Sequence, residues 1–320
     1  MSEYVLINDV HLSDRAPASC TDTYLDDMFE LLDQAASIAR SRQATIILAG
    51  DVFHHKAPSR TSHGTVMRLI DWARLTEVPV YAVVGNHDIQ HDRTASIHET
   101  QPLGVVTASG AIGLLDGWLD HGAPVYGVPW QMTFDDISVV NALDDFRREV
   151  ADNPGPRLVV THAPLYPPGH ELKFENYPAE KWAYAMANYA QGTVHYGHVH
   201  EPHGIYMVDA VTFSNPGALS RGSLHEHNLN RTPSIAIWNS ETGVITHQML
   251  KAKPAGEVFR LQEAIETKQA GINLNSFLTS IQNTRLDVTS IASVMAHVRD
   301  QHPDDPALVA VVEKLLESAA

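Results

Sequence analysis

Cysteine is almost absent from this chain, since Cys20 is the only one among 320 residues. A single thiol excludes an intrachain disulfide and a metal site built from several thiolates. The sequence also lacks any long apolar run, and its first residues, MSEYVLINDVHL, lack the charged and apolar regions of a signal peptide. These absences predict a soluble protein of the reducing cytoplasm, with no membrane as a partner.

Basic residues are also scarce, because 22 Lys and Arg face 38 Asp and Glu and give a formal net charge of −16. Contacts between basic side chains and phosphates dominate non-specific affinity for nucleic acids. The charge therefore weighs against tight unaided binding to DNA, although it is compatible with a local basic track. Histidine, by contrast, occurs 19 times, and this residue suits both metal binding and proton transfer.

Short β-rich runs alternate with helical patterns through the first 200 residues. Strands are predicted at 4–7, 45–48, 80–84, 124–128, 158–160 and 193–196. Helices are predicted at 25–39, with Thr21 or Asp22 as N-cap, and at 66–73, 137–150 and 179–189. This alternation indicates α/β layering. Consecutive strand-like stretches at 205–213, 234–238 and 244–250 predict a second, more antiparallel sheet.

Polar side chains with metal-binding chemistry follow five of the predicted strands. They are Asp9 and His11, Asp51, Asn86, His162, and His198 with His200. Side chains two residues apart in an extended segment point the same way, which suits the Asp-X-His and His-X-His pairs. Ligands bind where parallel strands end. Gly50, Gly85 and Gly197 precede ligands, where tight turns and close backbone approach are expected.

Seven ligands are too many for one ion, but they fill two sites if one carboxylate bridges both. Asp51 is the natural bridge, because it is a lone aspartate between the two groups of ligands. A mixture of Asp, Asn and His without Cys favours two divalent ions of Mn, with Fe or Zn as alternatives. A single Asp-X-His or Gly-Asp is common in loops, so the interpretation depends on the ordered set.

The ordered set resembles the calcineurin-like metallophosphoesterase superfamily over residues 1–250. The resemblance implies an α/β fold of two mixed β-sheets, packed face to face and flanked by helices. It implies two metal sites with ligands as follows: Asp9, His11, Asp51 and His200 for one, and Asp51, Asn86, His162 and His198 for the other.

Two further segments resemble the nuclease branch of that superfamily, the SbcD-type DNA repair enzymes. They are GDVFHHKAPSR at 50–60 and NPGALSRG at 215–222. The resemblance implies a DNA exonuclease or endonuclease that acts with an SbcC-type ATPase partner, which would supply affinity for DNA.

The residues suggest how such a site would work. Two ions can share a water, lower its pKa and direct the resulting hydroxide at phosphorus in line with the leaving oxygen. His87 is not needed as a ligand, so we expect it to protonate the leaving oxygen while Asp88 orients its ring. The alternative for Asp88 is an aspartate that stabilises a turn or caps a helix. By resemblance, His54 contacts the region of the scissile phosphate, with a solvent-facing loop histidine as the alternative. Arg60 and Arg221 would meet phosphates as bidentate donors, with surface solvation as the alternative.

The domain organisation follows from the end of the strand pattern. Residues 1–250 are predicted to form the dinuclear-metal catalytic domain, and KAKPAG at 251–256 a linker. Residues 257–320 carry helical patterns at 259–265, 274–281, 288–298 and 307–316. A region this short is marginal by itself, so we expect it to cap the catalytic domain, dock on a partner or form a homo-oligomer.

Two other functions stay open. One is a phosphodiesterase or phosphatase for small nucleotides or other phosphoesters, which the acidic charge suits better. The other is a non-enzymatic interaction protein that binds metal for its structure.

Overall fold

The computed structural model describes residues 2–89, 97–120, 123–131, 135–152, 155–170, 177–186, 192–263, 265–266, 299 and 309. The chain divides into two compact units, Met1–Phe259 and Arg260–Ala320. The helices predicted at 274–281, 288–298 and 307–316 lie outside the described residues, except for residue 309. The assignment of 1–250, 251–256 and 257–320 to catalytic domain, linker and helical region stays a prediction.

The strands and helices of the first unit follow in chain order. The strands are β1 (Glu3–Ile7), β2 (Thr45–Ala49), β3 (Val80–Val83), β4 (Gly113–Leu114), β5 (Gly117–Trp118), β6 (Val125–Val128), β7 (Arg157–His162), β8 (Leu165–Tyr166), β9 (Tyr177–Pro178), β10 (Gly192–Gly197), β11 (Gly204–Val208), β12 (Val211–Asn215), β13 (Ser234–Asn239) and β14 (Ile245–Met249). The helices are α1 (Tyr24–Arg42), α2 (His63–Leu75), α3 (Ile97–Thr100), α4 (Pro102–Ala108), α5 (Asp136–Ala142), α6 (Asp144–Asp152), α7 (Ala179–Met186), α8 (Glu226–Asn230) and α9 (Ala255–Val258), and Pro58–Arg60 form a 3-10 turn.

Two mixed sheets make the central layers. The first has the order β14-β13-β1-β2-β3-β4 and the second has the order β11-β12-β10-β7-β6-β5. Apolar side chains such as Leu6 and Ile47 from the first sheet pack with Leu158 and Val160 from the second. Helix α1 packs on β1 and β2, and α7 packs on β11 and β12. This architecture confirms the predicted α/β sandwich.

The strands after residue 204 do not form a separate antiparallel sheet, so that prediction was wrong. The hairpin of β11 and β12 joins the second sheet through parallel pairing of β12 with β10. The hairpin of β13 and β14 joins the first sheet through antiparallel pairing of β13 with β1. The periodicity of a sequence indicates each hairpin but not the distant strand with which the hairpin pairs. Because the two hairpins pair with strands of different sheets, they do not form one sheet of their own.

Helix boundaries differ from the prediction where side chains find tertiary partners. Helix α1 begins after Thr23, and the Thr21 hydroxyl instead donates to the carbonyl of Glu257, at 3.1 Å. The predicted capping by Thr21 or Asp22 was therefore wrong. The segment predicted as one helix at 137–150 is two helices, α5 and α6, and Asp135 caps the first with a reciprocal bond to Ser138.

Candidate metal centre

The strand ends that carry the predicted ligands have an unusual backbone. Asp9, His11, Asp51 and His198 have φ angles of 49°, 51°, 48° and 77°. This left-handed region is uncommon for residues with a side chain, costs roughly 1–3 kcal/mol and clusters at active sites. Four of the predicted ligands thus sit in backbone conformations that the surrounding fold has to stabilise.

Two glycines allow these turns to approach one another closely. A Cβ on Gly85 would overlap the backbone nitrogen and the carboxylate of Asp51, and one on Gly50 would overlap the ring of His162. Gly50 also has a φ angle of 90°, which favours glycine. The close approach expected at these glycines is therefore present.

The ligands come from both sheets rather than from the edge of one. Neighbouring parallel strands β1, β2 and β3 end just before Asp9, Asp51 and Asn86. In the second sheet, neighbouring parallel strands β7 and β10 lead to His162 and His198. The centre therefore spans the gap between the sheets, and its geometry depends on how they are held together.

The first donor group brings together Asp9, His11, Asp51 and His200, with one atom from each residue within 4.8 Å of the others. Nε2 of His11 lies 3.5 Å from Oδ2 of Asp51 and 3.0 Å from Nε2 of His200. Nε2 of His200 lies 3.6 Å from Oδ1 of Asp9. These nitrogens and oxygens face one shared volume.

The second donor group brings together Asp51, His162 and His198. Asn86 completes it, because its Oδ1 lies 3.1 Å from Nε2 of His162 and 3.0 Å from Nδ1 of His198. Asp51 belongs to both groups, which is the arrangement that a bridging carboxylate requires.

The charges of the centre fit divalent cations. Asp9 and Asp51 are 0% and 2% exposed, and among the described residues their ion-pair partners are histidines. Burial raises the pKa of Asp9 to about 7. At Asp51 burial acts in the same direction, but His162 and His11 outweigh it and hold the pKa well below its usual value. Buried carboxylates are costly unless a cation compensates them, and oxygen and imidazole donors suit Mn, Fe or Zn.

Most of the histidines are in the neutral form that binds metal. Burial lowers the pKa of His11 strongly, that of His198 to about 3 and that of His200 to about 4. His162 differs: burial disfavours its charge, but Asp51 and Asp9 outweigh burial and raise its pKa to about 9. Its Nδ1 donates to the carbonyl of Ala49 at 2.9 Å, which turns Nε2 towards the donor group.

The segment 215–222, which begins Asn-Pro-Gly, connects Asp9 and His200 of the first donor group. The backbone nitrogen of Ala218 donates to the carbonyl of His200 at 3.1 Å, and the hydroxyl of Ser220 donates to the carbonyl of Asp9 at 2.9 Å. The segment thus fixes the main chain on both sides of the centre.

Arg231 is a half-buried residue that the sequence did not single out. Its guanidinium donates to the carbonyl of Ala218 at 2.6 Å, to Oδ1 of Asn228 at 2.9 Å and to the carbonyl of Ser220. It thereby clamps the segment that joins Asp9 to His200. No motif marks this arginine, because its partners are mainly backbone carbonyls.

His87 lies beside the donor groups, where its ring can face a substrate. Its backbone nitrogen donates to Oδ1 of Asp51 at 2.8 Å. Its Nδ1 donates to the carbonyl of His54 at 2.5 Å, and its ring centre lies 5.0 Å from that of His11. The carbonyl of His54 therefore orients the ring and leaves Nε2 for other partners.

Asp88 does not orient His87, which corrects the role predicted for it. Its carboxylate accepts hydrogen bonds from the backbone nitrogens of Gly85, Val52 and Phe53 at 3.0, 3.2 and 3.1 Å. Asp88 is 1% exposed, and burial, together with the nearby charge of Asp51, raises its pKa to about 7. Asp88 instead holds the turn after β3 against the turn after β2.

His54 joins a group of three histidines next to the metal donors. One nitrogen from each of His11, His54 and His87 lies within 4.8 Å of the others. Nδ1 of His54 lies 3.4 Å from Nδ1 of His11, and its ring stacks on that of His87 with centres 5.9 Å apart. Burial, followed by His55 and His87, lowers the pKa of His54 to about 4. The ring is thus neutral at pH 7.

The two predicted phosphate-binding arginines have different positions. Arg60 is exposed at the end of the 3-10 turn, so its contact with substrate stays a prediction. Arg221 is 5% exposed, and its Nη2 donates to the carbonyl of Lys253 at 2.5 Å. The predicted phosphate contact of Arg221 was therefore wrong, because its guanidinium is buried against a backbone carbonyl.

A cleft of about 800 Å³ opens over the donor groups. Its described lining contains the three clustered histidines and, farther out, Tyr166, Glu201, Ser223, His225 and His227. No Lys or Arg is among the described residues that line it. The cleft therefore offers hydrogen-bonding and aromatic surfaces around the centre, and its acidic side chains are Asp51 of the donor groups and Glu201 farther out.

The sequence matches the family model described as calcineurin-like phosphoesterase over residues 3–202, a range that contains all the predicted ligands. The chain belongs to the calcineurin-like phosphoesterase family. The match and the two donor groups support a hydrolase of phosphoesters that binds divalent metal ions. Among the described residues, no helix has the length and apolar character needed to cross a membrane.

Solved structures of other phosphoesterases are similar at low identity. A 5'-nucleotidase from Candida albicans has 12% identity and a TM-score of 0.44, and the match covers 78% of this chain and 52% of that chain. A 5'-nucleotidase precursor from Thermus thermophilus has 13% identity and a TM-score of 0.42, with coverage of 85% and 59%. A protein-tyrosine phosphatase from a psychrophilic Shewanella has 14% identity and a TM-score of 0.34, with coverage of 78% and 80%. The chain thus spans little more than half the length of the two nucleotidases.

Proposed function

We propose that this protein is a metal-dependent phosphodiester hydrolase that cleaves DNA as an SbcD-type exonuclease or endonuclease. The observation that carries the proposal is the position of His54. This residue belongs to the loop that resembles the nuclease branch; its ring contacts His11, and its carbonyl holds the ring of His87. The loop that distinguishes the branch is thus part of the site, beside the residues shared by the whole family.

The two donor groups would hold two divalent ions, with Mn²⁺ preferred and Fe or Zn as alternatives. When bound, such ions activate water near neutral pH and neutralise charge on phosphate oxygens. The donors would hold the ions at the floor of the cleft, where a bound phosphate would meet them. Asp51, as the shared carboxylate, would fix the spacing of the two sites.

His87 is the proposed acid for the leaving oxygen. Because its Nδ1 is engaged by the carbonyl of His54, its Nε2 is the nitrogen that can donate to a substrate in the cleft. A positioned general acid of this kind contributes roughly 10²- to 10⁴-fold to the rate. His54 would act beside it as a neutral hydrogen-bonding group.

Affinity for DNA would come from a partner. The net charge of −16 opposes unaided binding to a polyanion, so an SbcC-type ATPase is the proposed source of DNA contacts. Residues 257–320 are the proposed docking region for that partner or for a second copy of this chain.

A second candidate function is hydrolysis of small nucleotides or other small phosphoesters. The observation that favours it is the cleft, since no Lys or Arg is among its described lining residues. A substrate with a single phosphate could bind through the metal ions and His87 alone, whereas a DNA strand has neighbouring phosphates that attract basic side chains.

The deciding experiment supplies Mn²⁺ with two substrates, a chromogenic phosphodiester and end-labelled linear DNA, the DNA at low salt and at a concentration high enough to offset weak unaided binding. The nuclease proposal predicts cleavage of both, loss of both activities in His87→Ala, and a larger loss on DNA than on the small ester in His54→Ala. His63→Ala on α2, an exposed change outside the described lining of the cleft, is the matched control and should retain activity. Cleavage of the small ester alone supports the second candidate, and bound metal without turnover on either substrate supports an interaction protein.

A further inference from the structure

Asn8 and His195 form a fully buried polar pair beneath the donor groups. Both residues are 0% exposed, and Nε2 of His195 lies 2.6 Å from Oδ1 of Asn8. Nδ2 of Asn8 donates to the carbonyl of Tyr196 at 2.8 Å, which fixes the orientation of the amide. Neither residue belongs to a donor group, yet Asn8 directly precedes Asp9.

The pair continues into a chain of hydrogen bonds with one defined direction. Oδ1 of Asn8 can only accept, so Nε2 of His195 carries the proton. Nδ1 of the neutral ring then accepts from the hydroxyl of Ser214, at 3.2 Å. The oxygen of Ser214 in turn accepts from Nε2 of His247, at 2.8 Å. We call these four residues, Asn8, His195, Ser214 and His247, the inter-sheet relay.

The inter-sheet relay crosses between the two sheets twice. His247 lies on β14 and Asn8 follows β1, both in the first sheet, whereas Ser214 and His195 lie on β12 and β10 of the second. Much of the contact between the sheets is apolar, with side chains such as Leu6. Buried polar groups in such a place are costly unless every partner is satisfied, so the relay permits only a narrow range of sheet spacings.

The relay acts at the base of the first donor group. Just above it, both carboxylate oxygens of Asp9 accept from the backbone nitrogen of His198, at 3.1 Å each. Segments 8–9 and 195–198 are therefore joined by two contacts, Asn8 with His195 and Asp9 with His198. Without the contact between Asn8 and His195, Asp9 and His11 could shift relative to His200, which comes from the other sheet.

We propose that the inter-sheet relay is a positioning device that sets the distance between the strand ends bearing Asp9 and His200, and so fixes the affinity of the first metal site. This proposal rests on the metal centre of the proposed function. It assigns the four residues no contact with substrate. Removing partners that orient metal ligands typically lowers metal affinity by about 10- to 100-fold.

The test is Mn²⁺ binding to the full-length chain, measured by isothermal titration and by electron paramagnetic resonance, without any substrate. His195→Phe should lower the affinity of the first site by about tenfold or more. The number of tightly bound Mn²⁺ ions per chain should therefore fall from two towards one. The matched control is Trp238→Phe, which removes another bond between the sheets, from Nε1 to Oγ1 of Thr193 at 3.2 Å. Thr193 lies at the end of β10 remote from His198, so the control should bind both ions normally.

A double variant separates positioning from stability. In Asn8→Leu/His195→Phe both polar partners become apolar, which can restore most of the stability lost by His195→Phe alone. Positioning predicts that the melting temperature recovers while the affinity of the first site stays low. Joint recovery of melting temperature and affinity would overturn the proposal.

Ser214→Ala is a milder variant in case His195→Phe does not fold. It removes the hydroxyl bonded to Nδ1 of His195 but keeps the bond to Asn8, so a smaller loss of affinity, about two- to fivefold, is expected. The proposal is contradicted if a folded relay variant binds Mn²⁺ with unchanged affinity. It is also contradicted if Trp238→Phe loses as much Mn²⁺ affinity as the relay variants. If the wild-type protein binds no Mn²⁺, the proposed function itself fails, and this outcome is distinct from the other two.

Discussion

The floor and the rim of the cleft are built in different ways. The floor consists of buried and half-buried donors at strand ends, held by left-handed backbone turns, by closely packed glycines and by hydrogen bonds between the two sheets. The described rim consists of separate polar side chains such as Glu201, His225 and His227. A rigid floor suits chemistry that is shared across a family, whereas a rim of separate side chains can change with the substrate.

The largest effect is expected at the carboxylate shared by both donor groups. Asp51→Ala should abolish tight binding of both ions and lower phosphodiesterase activity by about 10³-fold or more, because both sites lose a ligand. Metal content after gel filtration and the rate with a chromogenic phosphodiester measure this. Asp71→Asn, an exposed substitution on α2, should change neither. Retention of two tightly bound ions by Asp51→Ala would refute the shared ligand.

A glycine pair tests whether the floor depends on close packing. Gly85→Ala places a methyl group against Asp51 and should destabilise the fold by about 1–3 kcal/mol, with loss of metal binding. Gly64→Ala on α2 has no neighbour closer than 3.5 Å and should be stabilising by roughly 0.5–1 kcal/mol. Chemical denaturation measures both. Equal stabilities for the two variants would show that the floor tolerates the extra atom.

The pH dependence of metal binding tests the charges of the floor. Metal binding requires deprotonated ligands, and the metal-free protein holds protons on His162, with a pKa of about 9, and on Asp9, with a pKa of about 7. Affinity for Mn²⁺ should therefore rise as the pH increases from about 6 to 9, with release of about one to two protons per protein at pH 7. Titration calorimetry in buffers of different ionisation enthalpy counts these protons. Binding without proton release contradicts the assignment.

The smallest effect is expected at the rim. Glu201→Gln removes the acidic side chain that lines the cleft outside the donor groups, so KM for DNA should fall by about two- to threefold at low salt, and less at high salt. The kcat for a small phosphodiester should stay within about twofold of wild type, because the floor is unchanged. Glu30→Gln, an exposed change on α1, is the control. A tenfold change in kcat would show that Glu201 acts together with the metal donors of the floor and not only at the rim.

The sequence predicts the floor better than it predicts the contacts that hold the floor in place. Each donor follows a strand whose apolar run is visible locally, and an Asp-X-His pair reports its own side-chain directions. The positions of Asp88 and Arg221 were not predictable in this way. Asp88 accepts from backbone nitrogens and Arg221 donates to a backbone carbonyl, and such partners have no residue type that a sequence pattern could reveal.

The inter-sheet relay illustrates the same point for distant residues. Asn8 and His195 are separated by 187 positions, and their contact follows from the way in which two sheets pack. In contrast, the helical spacing of Leu25, Met28, Leu32, Ala35 and Ala39 predicted the buried face of α1; four of these residues are buried and Leu25 is half-buried. Local periodicity thus reports which face is buried, whereas the partner across the core depends on the whole fold.

The most direct test of the account is electron paramagnetic resonance of the protein with two equivalents of Mn²⁺. Two donor groups that share Asp51 would hold two ions about 3.5–4 Å apart, so we expect a spin-coupled dinuclear signal that disappears in Asp51→Ala. A wild-type spectrum of isolated Mn²⁺ ions, or saturation at a single ion, would contradict it.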